Sequence, residues 1–220
     1  MKTSPSLATA LAASAVLTGI TAHADAVDDL VAKIKNPDDK VRGPAWQSAA
    51  TAGVPAIKPL VAVMSDPDFE VARCARRAVW IIVRHSGRPG ADAERKAVQA
   101  ALLPLLQGQP APVRREVLWM LSEIGDKGAV EPVAVLLTEA ALREDARCAL
   151  TRLPFADATR ALEQALTTAP EDFRPALAES LRARGVAVPS HPTQKLMPAR
   201  QTSLKPAATG TNSTLAPPKN

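Results

Sequence analysis

Two apolar motifs recur along this 220-residue chain with nearly the same period, and this repetition restricts the possible folds more than any other feature. In the first motif, apolar side chains stand at an anchor and mostly again four, eight and eleven residues later, the spacing of one helical face. The anchors are Val41, Val71, Val113, Leu142 and Phe173. Glycine or proline, which readily end a helix, follows at offset twelve in four of the five copies. The motif therefore predicts five helices.

The second motif lies between copies of the first and predicts five further helices. Its copies begin at Ala26, Ala56, Ala97, Ala129 and Ala158. These starts are 30, 41, 32 and 29 residues apart, and the anchors of the first motif are 30, 42, 29 and 31 apart. In both series the second interval is the longest, at 41 and 42 residues, which indicates one shared insertion. Aromatic residues make up only 3% of the chain, which disfavours a sheet protein. We therefore predict an all-α solenoid of about five helix pairs over residues 25–185.

Several local features accompany the repeats. Acidic turns precede two anchors, as in Asp66-Pro67-Asp68, and two copies open with Val-Arg, namely Val41-Arg42 and Val113-Arg114. Together with small residues at offset four and the glycine stops, these features resemble the HEAT repeat family in its short HEAT-like or phycobilisome-lyase-like form. The resemblance implies a helical-repeat fold and leaves the activity open. Arg184 interrupts the apolar face of the last copy, and we expect it to lie on a solvated capping face.

The N-terminal segment has the pattern of a secretory signal peptide. Lys2 precedes an uncharged, mostly apolar stretch from Leu7 to Ile20, and the small-x-small sequence Ala22-His23-Ala24 follows. This stretch is shorter than the roughly 20 residues that span a bilayer. We predict residues 1–24 to be a signal peptide cleaved after Ala24, a periplasmic or secreted mature protein, and no later transmembrane segment.

The C-terminal segment differs in composition from the repeats. Residues 186–220 contain six prolines, four cations and no acidic residue. Such a segment buries too little apolar surface to offset the entropy of ordering, so we predict a disordered tail. Four scattered cations make a weak patch, and we expect the tail to contact anionic surfaces only weakly.

The formal charge of +5 does not come from the predicted repeats. Five of the 27 basic residues lie in the two terminal segments, so residues 25–185 hold 22 basic and 22 acidic residues. Nucleic-acid binding domains usually carry a net positive charge. The balance predicts no nucleic-acid partner and no strongly charged surface on the folded part.

The repeats lack a recognisable catalytic constellation. His85 is the one histidine between residues 25 and 185, and Ser86 follows it, whereas the family's iron-dependent hydroxylases use His-Glu pairs. We therefore expect no catalytic activity, metal or cofactor. The predicted function is an exported, non-catalytic protein-binding scaffold or adaptor in the cell envelope, with an unidentified protein partner. The alternative is a lyase-like chaperone or enzyme subunit that holds a cofactor-bearing partner.

Two sets of residues are candidates for partner contact. The insertion after the second copy of the first motif offers Arg84, His85 and Arg88 on a loop. Polar residues at the third position of the second motif predict a ridge along one edge of the stack: Lys58, Gln99, Glu131 and Arg160. Three tryptophans beside the apolar face are open to two interpretations, as binding anchors or as partly buried packing residues: Trp46, Trp80 and Trp119.

Overall fold

The computed structural model describes residues 24–193, which form helices and connecting turns without a strand. The helices are α1 (24–34), α2 (Asp39–Gln47), α3 (Ile57–Val63), α4 (Phe69–Ser86), α5 (Asp92–Leu102), α6 (Ala111–Ile124), α7 (Val130–Ala134), α8 (Arg143–Arg152), α9 (Ala156–Thr168) and α10 (Arg174–Ala183). Within residues 24–193, no helix is both long and apolar enough to cross a bilayer. The predicted signal peptide, apart from its last residue, and the tail beyond residue 193 lie outside the described residues.

The helices form two layers. The even-numbered helices carry the first motif and pack in sequence, α2 on α4, α4 on α6, α6 on α8 and α8 on α10. We call them the front layer. The odd-numbered helices carry the second motif and form the back layer, where α3 packs on α5 and α7 on α9. Each layer supports the other through contacts such as α3 with α4 and α7 with α8. The structure thus confirms the predicted all-helical repeat stack.

The offset-four positions of the first motif lie at the packing surface of the front layer. They are at most 5% exposed in every copy: Ala45, Ala75, Val117, Ala146 and Leu177. The offset-eight positions are at most 1% exposed: Ala49, Val79, Leu121, Leu150 and Leu181. Packed helix axes lie about 8–10 Å apart, and the alanines allow this approach where neighbouring helices are close.

The helix ends follow the local sequence. The Asp68 side chain accepts hydrogen bonds from the backbone N–H groups of Glu70 and Val71 at 2.8 and 3.2 Å, which caps α4. This helix continues through Ser86, as its missing stop residue predicts. Pro104 follows the last residue of α5 by two positions, and the chain there tightens into a 3-10 turn.

Arg184 corrects the expectation of a solvated capping face. Its guanidinium is half-buried at the C-terminal end of α10 and donates to four backbone carbonyls and one hydroxyl of the α8–α9 junction. Burial lowers the pKa of Arg184 below its usual value. The residue therefore ties the last helix to the preceding helix pair.

The described start of the predicted tail runs beside α10. Val186 and Val188 are partly buried against the core, and the Arg182 Nη1 donates to the carbonyl of His191 at 2.6 Å. The predicted domain boundary at residue 185 stays a prediction.

Candidate protein-binding site

Tryptophan side chains connect successive front-layer helices on their exposed side. The Trp80 indole N–H on α4 donates to Glu116 on α6 at 2.9 Å. The Trp119 indole N–H on α6 donates to Asp145 on α8 at 3.0 Å. Trp80 is half-buried, whereas Trp119 is 37% exposed. These rings pack between helices, as the packing interpretation expects, and they also contribute to the surface. Their role as binding anchors stays a prediction.

An arginine lies over the ring of each of the three tryptophans. The guanidinium carbon lies 5.2 Å from the ring centroid for Arg77 over Trp46, 5.0 Å for Arg84 over Trp80 and 5.9 Å for Arg152 over Trp119. These distances suit a cation–π interaction. Each of the three arginines is exposed. We call Arg77, Arg84 and Arg152 the stacked arginines.

The carboxylates of the front surface already have partners. Glu116 accepts from Trp80 and also binds Arg76 at 3.2 Å. Asp145 accepts from Trp119 and also lies 3.5 Å from Arg115. The stacked arginines differ from these paired arginines. Within residues 24–193, no carboxylate lies within 4.0 Å of Arg77 or Arg152, and the nearest one to Arg84 is Glu123 at 3.9 Å. Among the described residues, Arg77 and Arg152 therefore offer guanidinium donors without a carboxylate partner, Arg84 has only a distant one, and the surface has few unpaired acceptors.

The two layers differ in charge, which corrects the expectation of a folded part without a charged surface. Front-layer helices contain 13 Lys and Arg residues against 7 Asp and Glu residues, whereas back-layer helices contain 5 against 8. Residues 25–185 thus have no net charge because the positive charge of the front layer is balanced by the negative charge of the back layer and of the turns.

An open groove lies between the starts of α4 and α6 in the front layer. Its volume is about 240 Å³. The apolar residues that line it are Met64, Phe69, Ala72, Pro112 and Val113, and the polar ones are Arg73, Arg76 and Glu116. Phe69 is 71% exposed. The groove lies at the boundary between the second and third copies of the first motif, where α4 packs less extensively on α6 than α6 does on α8.

The candidate loop residues lie together at the end of α4. The Arg88 guanidinium binds Glu94 of α5 at 2.7 Å and donates to the His85 carbonyl at 2.6 Å. The hydrogen bond from Arg88 lowers the pKa of the Glu94 carboxyl below its usual range. The His85 Nε2 atom lies 4.0 Å from the same carboxylate. Arg88 therefore belongs to a folded loop with a charge partner, while Arg84 turns back onto Trp80.

The predicted ridge of the back layer is only partly formed. Lys58, Glu131 and Arg160 are exposed on α3, α7 and α9, as expected, and Arg160 pairs with Asp157 of its own helix. Gln99 is only 7% exposed, so the expectation that it belongs to an exposed ridge is wrong.

Gln99 is buried because Asp126 satisfies its amide. The Gln99 Nε2 donates to the Asp126 carboxylate at 2.7 Å, and its Oε1 accepts from the Asp126 backbone N–H at 2.5 Å. The Gln99 contact is the largest cause that lowers the pKa of the Asp126 carboxyl below its usual value. Gln99 thus holds the turn after α6 instead of contacting a partner.

We expect Gln99→Leu to destabilise the protein by about 1–2 kcal/mol at pH 7, because Asp126 loses two hydrogen bonds. Because the pKa of Asp126 is lower in the folded state than in the unfolded state, its ionised carboxylate stabilises the fold at pH values above the ordinary Asp pKa of about 3.9. This stabilisation is lost as the pH falls through the folded-state pKa of Asp126. The difference between variant and wild type in urea unfolding should therefore shrink on acidification below that value. A constant difference at all pH values would contradict the assigned role of the carboxylate.

The tryptophan–carboxylate contacts were not predicted, although the sequence contains a signal for them. Glu116 and Asp145 both occupy offset three of the first motif, in consecutive copies. An exposed carboxylate at the same offset in neighbouring repeats lies at the same height on neighbouring helices. It can therefore accept from a tryptophan on the preceding helix.

Comparisons with known proteins give structural neighbours and no family. No family model matches the chain, and no curated protein matches it. One similar solved structure is an engineered protein from the Northeast Structural Genomics Consortium, with 23% identity, 71% coverage of this chain, 78% of that chain and a TM-score of 0.39. Another is a designed armadillo repeat protein in complex with the peptide (KR)4, with 20% identity, coverages of 70% and 80%, and a TM-score of 0.42. These TM-scores are too low for either likeness to bear on function.

Proposed function

We propose that this protein is an exported, non-catalytic protein-binding scaffold of the HEAT-repeat type in the cell envelope, and that its front layer is the binding surface. The helical repeat stack supports the scaffold role, because such stacks present a long surface built from similar units. The signal-peptide pattern of residues 1–24 supports export. The acidic turns and Val-Arg openings support the HEAT assignment.

The observation that carries the proposal is the exposed apolar groove beside Phe69. Exposed apolar surface next to arginine and tryptophan is the composition that protein interfaces favour. Three large apolar side chains are exposed within residues 24–193: Phe69, Trp119 and Val135. Two of them belong to front-layer helices, and Phe69 adjoins a groove wide enough for a partner side chain. A larger groove of about 540 Å³ lies between the end of α7 and α9 in the back layer, but Phe69 and Trp119 are not part of it. The exposed aromatic side chains are therefore what favours the front layer as the binding surface.

Site-specific photo-crosslinking tests this assignment. A photoreactive phenylalanine analogue is placed at Phe69, at Arg160 in the back layer, or at His85 in the last turn of α4, each in the full chain within the cells that produce it. We expect a discrete crosslinked adduct from position 69 and none from position 160, because an occupied groove brings the partner within reach of the reactive group. Adducts are measured by immunoblot and mass spectrometry.

Two outcomes would contradict parts of the proposal separately. An adduct from position 160 and none from position 69 would move the binding surface to the back layer. An adduct from position 85 alone would support the loop hypothesis built on Arg84, His85 and Arg88. Export is tested independently by fractionation and by the N-terminus of the purified protein, which we expect to be Asp25.

A further inference from the structure

We propose that the front layer binds an acidic polypeptide segment that contains apolar residues between its carboxylates. This proposal rests on the proposed protein-binding function and specifies the chemistry of the partner. The apolar side chain would occupy the groove beside Phe69, and the carboxylates would bind the stacked arginines.

The front layer is complementary in charge to an acidic segment. The front-layer helices contain six more basic than acidic residues, and their exposed carboxylates are largely engaged by tryptophan or arginine. A basic segment would meet a surface of like charge and few unpaired acceptors. An acidic segment would meet guanidinium groups that offer paired N–H donors with the geometry of a carboxylate.

The stacked arginines are preorganised for binding. A free arginine loses side-chain entropy of about 2 kcal/mol when a ligand fixes it. Each stacked arginine already lies over an indole ring, at 5.0 to 5.9 Å from its centroid. Part of this entropy is therefore lost before binding, which favours these three arginines over other exposed cations.

The groove and the stacked arginines lie on the same side of the front layer. Glu116 lines the groove and also accepts from Trp80, the ring that Arg84 covers. The stacked arginines belong to α4 and α8, which are two helix spacings apart, or roughly 20 Å at about 10 Å per spacing. An extended segment of about six residues covers that distance.

The three tryptophans of the chain make intrinsic fluorescence a reporter of this surface, because all of them lie in front-layer helices. The probe is a tryptophan-free peptide of repeated Glu-Glu-Leu units, titrated into the full mature chain. The test variant is the triple change R77Q, R84Q and R152Q. The matched control is K58Q, K96Q and R160Q, which removes the same charge from exposed residues of the back layer. Both variants keep the basic tail, so its contribution cancels.

We expect the test variant to bind the peptide about tenfold more weakly than wild type, since it loses three carboxylate contacts. The control should stay within about twofold. Affinity should fall with added salt for wild type and control, and less for the test variant. A peptide with glutamine in place of glutamate should not bind, and circular dichroism verifies that each variant is folded.

Two results would overturn the proposal. Equal loss of affinity in test and control variants would mean that net charge alone attracts the peptide. Tighter binding of heparin or single-stranded DNA than of the peptide, lost in the same test variant, would assign the stacked arginines to another class of polyanion. Either result leaves the crosslinking at Phe69 as a separate test of protein binding.

Discussion

Ala146→Asp is expected to destabilise the protein by about 4 kcal/mol or more, enough to prevent folding of the last repeats in a marginally stable chain. Ala146 is fully buried on α8, which packs against α6 on one side and α10 on the other. A carboxylate at this position would be removed from water between apolar side chains. It would be protonated or would force the helices apart.

The control is the same substitution at an exposed alanine. Ala100→Asp lies in α5, where the residue is exposed, and should change stability by no more than about 1 kcal/mol. Both variants are compared by thermal and urea unfolding, followed by circular dichroism. Equal unfolding curves for Ala146→Asp and wild type would show that the offset-four position is not a packing position in solution.

The buried positions of the front layer were predictable because they depend on local periodicity. Offsets of zero, four, eight and eleven fall on one side of any α-helix, whatever surrounds it. Residues that end a helix also act locally, so the extension of α4 through Ser86 depends on the missing stop residue in its own copy of the motif.

The position of Gln99 was not predictable in the same way. Its partner Asp126 lies 27 residues further along the chain, in the turn after the next front-layer helix. A polar residue on a predicted outer face is expected to be solvated unless a partner satisfies its hydrogen bonds. That partner is known only when the helices are placed, so the sequence pattern assigned Gln99 to the same ridge as Lys58 and Glu131.

The charge of the front layer was predictable in principle, but the charge total did not reveal it. Most charged residues belong to the first or the second motif, so the repeat alignment already assigns them to one of two layers. Summing over residues 25–185 combines the two layers with the acidic turns, and the three contributions cancel. The pairing of Arg77 with Trp46 and of Arg152 with Trp119 depends instead on contacts between neighbouring repeats.

Arg184→Ala is expected to destabilise the protein by about 3 kcal/mol, which lowers the melting temperature by about 10 °C for a domain of this size. The reason is the set of acceptors around its guanidinium. The carbonyls of Leu150, Thr151 and Leu153 accept at 3.1, 2.9 and 2.6 Å, and that of Phe155 accepts at 2.7 Å. Two of these carbonyls belong to the last turn of α8, where no further helical N–H is available.

The cation also suits its position electrostatically. The C-terminal end of a helix carries partial negative charge, and a guanidinium there is favourable. Pro154 interrupts the turn and has no N–H of its own to donate to these carbonyls. Removal of Arg184 therefore leaves several acceptors half-buried, with only entering water to replace the guanidinium that contacts five acceptors.

Two further variants separate geometry from charge. Arg184→Lys keeps the positive charge but has a compact ammonium with three donors, so we expect an intermediate loss of stability. Arg160→Ala removes an exposed arginine that pairs within its own helix, and it should change stability by about 0.5 kcal/mol or less. If Arg184→Ala were as stable as Arg160→Ala, water would replace the guanidinium without cost. Apolar packing with the Arg147–Ser180 hydrogen bond would then be enough to hold α10 in place.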